Sequence, residues 1–234
     1  MLASFLNDTI RPQALEIFRD KNELQIMLLA GVTQNFKKGE IVFKEGGIPS
    51  GVFYLKKGHV KKYKGTAIGG EQIFYVCATG ELLGYHAVLA EEWYSDSAST
   101  LDDCEITFVP KEVFQRTLHD SPDLALRLLK ALAHEFRLFK IGIATLATSS
   151  VKERLAINLL ILDEKFRKSQ KSTKASEIIL SRSDLANMVG TAKENLVRML
   201  AEFKANGLIK ITDNGIQITN RNGVIKTASL IGTI

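Results

Sequence analysis

The sequence predicts an α+β protein: an N-terminal antiparallel β-roll of jelly-roll type, one long helix, and a C-terminal helical domain closed by a β-hairpin. Three observations predict it. From Thr33 to Val109, short runs rich in β-branched and aromatic residues are broken by glycine-containing turns about every 8–12 residues. After Pro122, apolar residues recur at heptad spacing. Beyond Ser150, short amphipathic patterns lead into an Asp213-Asn214-Gly215 turn.

The elements follow in order. Leu15, Phe18, Leu24, Ile26, Met27 and Leu28 suggest short helices ahead of the roll. The runs NFKKGEIVFKEGG, SGVFYLKKGHVKKYK, EQIFYVCATGELLGY and SASTLDDCEITFVP supply the strands, and Pro110 ends the last of them. Lys56–Lys57 and Lys61–Lys62 read as a solvated strand and turn face. Lys111–Leu118 reads as a short helix. In the helix opened by Pro122, Leu129, Leu132, Phe136, Phe139, Ile143 and Leu146 form one seam. Leu124, Leu128, Ala131 and Leu138 form a second stripe beside it. A small roll can cover one stripe, and the same helix of a second subunit accounts for the other, which predicts a homodimer; the plain alternative is one helix buried within a single chain. Thr145–Ser150 is small and polar, a hinge. Val151–Phe166 is a further helix, 167–176 a lysine- and serine-rich loop, and Glu177–Leu180 a short strand.

The stretch Leu180–Ile211 is the most informative. Ser181 or Ser183 can cap a helix with Asp184 in its first turn. Gly190 suits its left-handed end. Thr191 and Glu194 have the spacing of a capping box for a second helix, 191–206. Leu196, Met199, Leu200 and Phe203 then face inward, leaving Lys193, Glu194, Val197 and Arg198 outward. That is a helix-turn-helix whose second helix can enter a DNA major groove, although an ordinary helical hairpin with a solvated face has the same pattern. Leu208–Ile211 and Ile216–Ile218 make the hairpin, a wing.

Charge and composition bear on the choice. The 234 residues carry a net charge of +5. From Ser150 onward there are 14 basic and 8 acidic residues, net +6, so the excess positive charge lies with the helix-turn-helix; phosphate-backbone binding calls for such a distribution. No apolar run approaches a membrane span and the N-terminus lacks a signal pattern, so a cytoplasmic protein without a membrane partner is expected. A metal-dependent oxygenase on the roll would need converging histidines, and no His-x-His occurs, so no enzyme is expected. A small-molecule-binding regulatory module without specific DNA function is the alternative.

In this order of parts, and in the runs KKGEIVFKEGG, GVFYLKKGHVKKYK, GELLGY, SSVKERLAINLLIL and LSRSDLANMVGTAKENLVRMLAEFKANGLI, the chain resembles the Crp–Fnr family of bacterial transcription regulators, from about Phe36 to Ile218. The resemblance implies a sensor roll at 1–121, a dimerisation helix at 122–147 and a winged helix-turn-helix domain at 148–234. It implies double-stranded DNA and RNA polymerase as partners, and a small-molecule effector. Lys193, Glu194 and Arg198 match the family's base-reading positions; Ser181, Arg182, Ser183, Thr191 and Asn195 would hold phosphates. The family's cyclic-nucleotide cassette has a Gly-Glu pair followed by Arg-Ser-Ala. Here Gly84 is followed by Tyr85, and Ser95 or Asp96 stands where arginine would precede Ser97–Ala98. Both anchors are missing, so conventional cyclic AMP binding is not expected. Glu81 follows the earlier Gly80 and is not the lost glutamate. The tentative effector pocket is Gly84, Tyr85, His86, Asp96, Ser97 and Ala98, with no cofactor assigned. An iron–sulfur centre needs four thiolates, and only Cys77 and Cys104 are present. His59, His86, His119 and His134 are scattered and suggest no haem site, His86 being the one inside the altered cassette.

Overall fold

The computed structural model describes residues 17–18, 21–66, 69–170 and 176–228. The expected helical residue Leu15, the side chain of Leu138 and residues 171–175 of the expected loop lie outside the described residues, while 167–170, also expected in that loop, are helical. The described residues divide into two compact units, one within 12–65 and 74–137, the other within 66–73 and 138–234.

The first unit begins with α1 (Lys21–Leu29), followed by β1 (Val32–Phe36), β2 (Ile41–Phe43), β3 (Gly51–Lys57), β4 (His59–Gly65), β5 (Glu71–Ala78) and β6 (Leu82–Leu83). A short α2 (Tyr85–Ala90), β7 (Ser97–Thr100), β8 (Cys104–Pro110) and α3 (Lys111–Asp120) complete the roll. Two four-stranded sheets form, in the orders β1-β8-β3-β6 and β2-β7-β4-β5. Val32 lies antiparallel opposite Phe108 and Val60 antiparallel opposite Thr100. Alternation along the strands sends Phe43, Leu55, Val60, Ala98 and Ile106 into one shared core. The helix α2 falls inside the altered cassette, where strand and turn patterning gave no sign of it.

The long helix α4 (Pro122–Thr148) has 27 residues. Its stripe of Leu124, Leu128 and Ala131 is buried, packed with Met27, Val52 and Phe114. The other stripe is open: Leu129, Phe136, Phe139, Ile143 and Leu146 are between 48% and 65% exposed. Leu132 departs from the seam by packing partly on the roll core. The expected hinge is also shorter than Thr145–Ser150, because helical hydrogen bonding runs on through Thr148.

In the second unit, α5 (Val151–Gln170) precedes α6 (Arg182–Val189), α7 (Lys193–Ala205), the hairpin β9 (Ile209–Ile211) and β10 (Ile216–Ile218), and α8 (Arg221–Thr227). Leu155, Leu159, Phe166, Leu185, Leu196, Leu200 and Phe203 are fully buried. The strand expected at Glu177–Leu180 reduces to a single bridge between Ile178 and Ile216. The terminal α8, absent from the sequence reading, is held by Asp163, whose buried carboxylate accepts from Arg221 Nη1 at 2.7 Å and Arg167 Nη2 at 2.5 Å. No described helix is long and apolar enough to cross a membrane.

Phe114 is 1% exposed at the centre of the core beneath α4. Phe114→Ala is expected to cost about 3–5 kcal/mol, the usual penalty for a large cavity, read as an earlier denaturant midpoint for the roll unit.

Candidate nucleic-acid interface and sensor pocket

The helix-turn-helix is built from two caps and a turn. Ser181 caps α6, its Oγ accepting from the Asp184 amide at 2.9 Å. Gly190 ends that helix at φ 69°, a left-handed conformation that costs glycine nothing. The second cap differs from expectation. α7 begins at Lys193 behind Ala192, which has no side chain able to cap, so Thr191 and Glu194 form no capping box. The recognition helix is accordingly 193–205, shorter at both ends than 191–206.

Thr191 is used differently. Its Oγ1 accepts from Asn195 Nδ2 at 2.8 Å, and Asn195 Oδ1 accepts from Arg198 Nη2 at 2.8 Å. This relay runs along one edge of α7 and fixes the direction of the Arg198 guanidinium. Lys193, Glu194, Val197 and Arg198 are all exposed, while Leu196, Leu200 and Phe203 anchor the opposite face. At the start of α6, Ser181 and Ser183 are exposed and Arg182 is half-buried. Burial lowers the Arg182 pKa from its ordinary value, and the group remains a cation at any working pH.

The residues expected to line a sensor pocket make the following contacts among the described residues. Gly84 precedes α2 at φ 76°, and a Cβ there would lie 3.1 Å from the Tyr94 ring. Tyr85 is buried and its hydroxyl donates to Glu135 Oε1 of α4 at 2.6 Å. His86 Nε2 lies 2.8 Å from Glu135 Oε2. Thus both residues that follow the cassette glycine grip the same carboxylate. Asp96 sits across from them in sequence terms but pairs with Lys62 at 3.1 Å, both side chains 12% exposed. Lys62 is therefore not on a solvated face, which corrects the reading of Lys61–Lys62; the β-strand alternation turns it inward toward Asp96. Ser97 Oγ accepts from the Glu45 amide at 3.0 Å, and Ala98 is fully buried in β7. Glu81 is committed to its own turn, accepting from Tyr75 Oη at 2.7 Å and the Ala78 amide at 3.2 Å.

The electrostatics match this closed network. Burial alone would raise the Glu135 carboxyl, but its bonds from His86 and Tyr85 and the Lys62 charge hold it below the ordinary glutamate range. Burial alone would lower the Lys62 ammonium, and the Asp96 charge outweighs it, leaving Lys62 raised. Burial and then Glu135 push the Tyr85 phenol up. Cys77 and Cys104 are both free and buried. Burial and the neighbouring Asp102 push the Cys104 thiol up to about 12, so it carries almost no thiolate at neutral pH. His59 is buried with Nδ1 2.6 Å from Asp102 Oδ2, and His119 is exposed at the end of α3; the His134 side chain lies outside the described residues.

A roll of two antiparallel sheets, a long helix and a capped helix-turn-helix with a charged outer face define a DNA-binding regulator. Residues 33–121 match the cyclic nucleotide-binding domain family and 153–226 the Crp-like helix-turn-helix domain family. The transcriptional activator protein anr of Pseudomonas aeruginosa is 29% identical over 182 residues, 78% of this chain and 74% of that protein. The fumarate and nitrate reduction regulatory protein of Escherichia coli is 24% identical over 210 residues, 88% of this chain and 84% of that protein. FixK2 from Bradyrhizobium japonicum has the same fold, with a TM-score of 0.75 at 20% identity over 87% of this chain and 98% of that one. The chain belongs to the Crp–Fnr family and is a transcription regulator with a helix-turn-helix DNA-binding domain.

Because the folded Glu135 carboxyl titrates below its ordinary 4.5, its ionised form stabilises the fold above that pH and the gain is lost as pH falls through the lower folded value. Glu135→Gln is expected to flatten this part of the acid limb in denaturation curves taken between neutral and strongly acidic pH. An acid limb as steep as the parent's would show that the carboxylate contributes nothing.

Proposed function

We propose that this chain acts in the cytoplasm as a homodimer that reads a near-palindromic DNA site, with one recognition helix per half-site. The observation that carries the DNA reading is the exposed Lys193–Glu194–Val197–Arg198 face on α7. Arg198, aimed by Asn195, can donate a bidentate pair to guanine O6 and N7, and Glu194 can accept from cytosine N4. Val197, noted in the sequence only as outward-facing, offers an apolar contact for a thymine methyl. Lys193 reads a base acceptor or a phosphate. Ser181, Arg182, Ser183 and Thr191 hold backbone phosphates and so set register. Asn195 contributes by orienting Arg198, since both ends of its amide are engaged, one by Thr191 ahead of α7 and one by Arg198 within it.

The exposed seam of α4 supports the dimer. Two copies packed along Leu129, Phe136, Phe139, Ile143 and Leu146 would remove a heptad stripe from water. Their recognition helices would then stand about one DNA turn apart, ~34 Å. In this reading 1–121 is the sensor domain, 122–147 the dimerisation helix and 148–234 the DNA-binding domain. RNA polymerase is the expected protein partner at a promoter. The signal is unidentified and, in this reading, is not cyclic AMP: Tyr85 stands at the glutamate position and Ser95 or Asp96 at the arginine position, with Tyr85 bonded to Glu135 and Asp96 to Lys62.

Selection of a site from random duplexes, followed by gel shift, tests the DNA reading; binding no tighter than to arbitrary DNA refutes it. On the selected site, Arg198→Ala is expected to relax preference at one base pair per half-site, by about 1–3 kcal/mol. Phe136→Asp puts a charge into the seam and is expected to give a monomer in sedimentation velocity. A parental sedimentation coefficient would refute the seam.

A further inference from the structure

The link between the dimerisation helix and the DNA-reading helices is two residues long, Ser149–Ser150, between the end of α4 and the start of α5. Two short-range devices hold it. The first is a reciprocal cap: the Ser150 amide donates to Glu153 Oε2 at 2.7 Å, and the Glu153 amide donates to Ser150 Oγ at 3.3 Å. The second is Arg154. Its Nη1 donates to the Ser149 carbonyl at 2.7 Å, its Nε to the Val189 carbonyl at 2.8 Å, and its Nη2 to the Gly190 carbonyl at 3.1 Å.

Those acceptors belong to two different helix ends. Ser149 follows the last turn of α4; Val189 and Gly190 close α6 at the helix-turn-helix turn. The last carbonyls of a helix have no intrahelical donor and carry the negative end of its dipole. Neither α4 nor α6 has a basic residue in its own last turn. One guanidinium, planar and fork-shaped, serves both. The same place carries an apolar contact: a Cβ on Gly190 would lie 3.3 Å from Leu146 Cδ2, so the last leucine of the seam lies against the turn of the helix-turn-helix.

We propose that Arg154 is the positioning residue for DNA recognition, setting the angle between the end of α4 and the recognition helix α7 by bonding the carbonyls of Ser149, Val189 and Gly190. The seam fixes where α4 points, Arg154 ties the turn to that helix, and α7 follows the turn by two residues. Arg154 lies on α5, away from the outward face of α7, so its effect on base reading is through geometry rather than through contact.

The DNA consequence rests on the proposed role of α7, so the test separates the two. Spin labels are placed on Ala144→Cys in α4 and Lys204→Cys in α7, both exposed. The native cysteines are buried, and the labelled chain is diluted with unlabelled chain so that only distances within one chain are read. Electron–electron distance measurements on the DNA-free protein are expected to give a narrow distribution for the parent and a broad one for Arg154→Met, which keeps the apolar stem and removes the fork. Arg167→Met, which breaks the pair with Asp163 inside α5, controls for loss of stability and is expected to keep the parental width. On the selected DNA site, Arg154→Met is expected to lose about 10-fold in specific affinity with unchanged binding to arbitrary DNA. A parental distance distribution in folded Arg154→Met overturns the assignment, as does broadening of equal size in Arg167→Met. If Arg154→Met does not fold, Arg154→Lys, whose single ammonium cannot span three carbonyls, is read by the same criteria. Absence of specific DNA binding by the parent refutes the function instead, whatever the distances show.

Discussion

A helix of 27 residues with apolar side chains on two sides presents a constraint that organises this molecule. The roll closes over Leu124, Leu128 and Ala131, each of the two leucines contributing about 1.5–3 kcal/mol on burial. It leaves a heptad stripe in water. An exposed stripe of this kind is a stable surface only if something apolar covers it, and self-association is the economical solution for a helix that presents the same stripe in every copy. The proposed dimer, the proposed spacing of its DNA-reading helices and the proposed use of the short Ser149–Ser150 link as a joint would follow from that one helix being covered on its second side by another copy.

Around the upper part of α4 the roll makes polar rather than apolar contact. Tyr85 and His86 converge on Glu135, and Lys62 with Asp96 forms a second, nearly buried pair. Each charge in this region has an opposite charge or a donor, which low-dielectric surroundings require. Within this network the Asp96 carboxylate and the Lys62 ammonium neutralise each other. The residues that differ from the family's cassette are thus not vacancies but parts of a network internal to the chain.

Much of this was legible in the sequence. The alternating runs placed the roll, the heptads placed α4, and Ser181, Gly190 and the Asp213–Gly215 turn placed the helix-turn-helix and its wing, because each depends on residues close in sequence. The misreadings have local causes too. Thr191 and Glu194 have capping-box spacing, yet the chain starts its helix two residues later and Thr191 receives Asn195 instead. Ser150 and Glu153 form a true box that the hinge reading obscured.

What the sequence determined by itself was periodicity: which stretches turn every second residue, which every third or fourth, and which outward residues on α7 face solvent. What only the tertiary structure decided was which polar groups meet. Glu135 reaches Tyr85 across a separation of 50 residues, and Arg154 reaches Gly190 across 36. No spacing rule connects such positions, since their approach depends on how the sheets and helices close rather than on the geometry of any one element. Lys62 shows the difference most plainly: in the sequence it is one of a pair of surface lysines, and in the fold its strand turns it inward to neutralise Asp96.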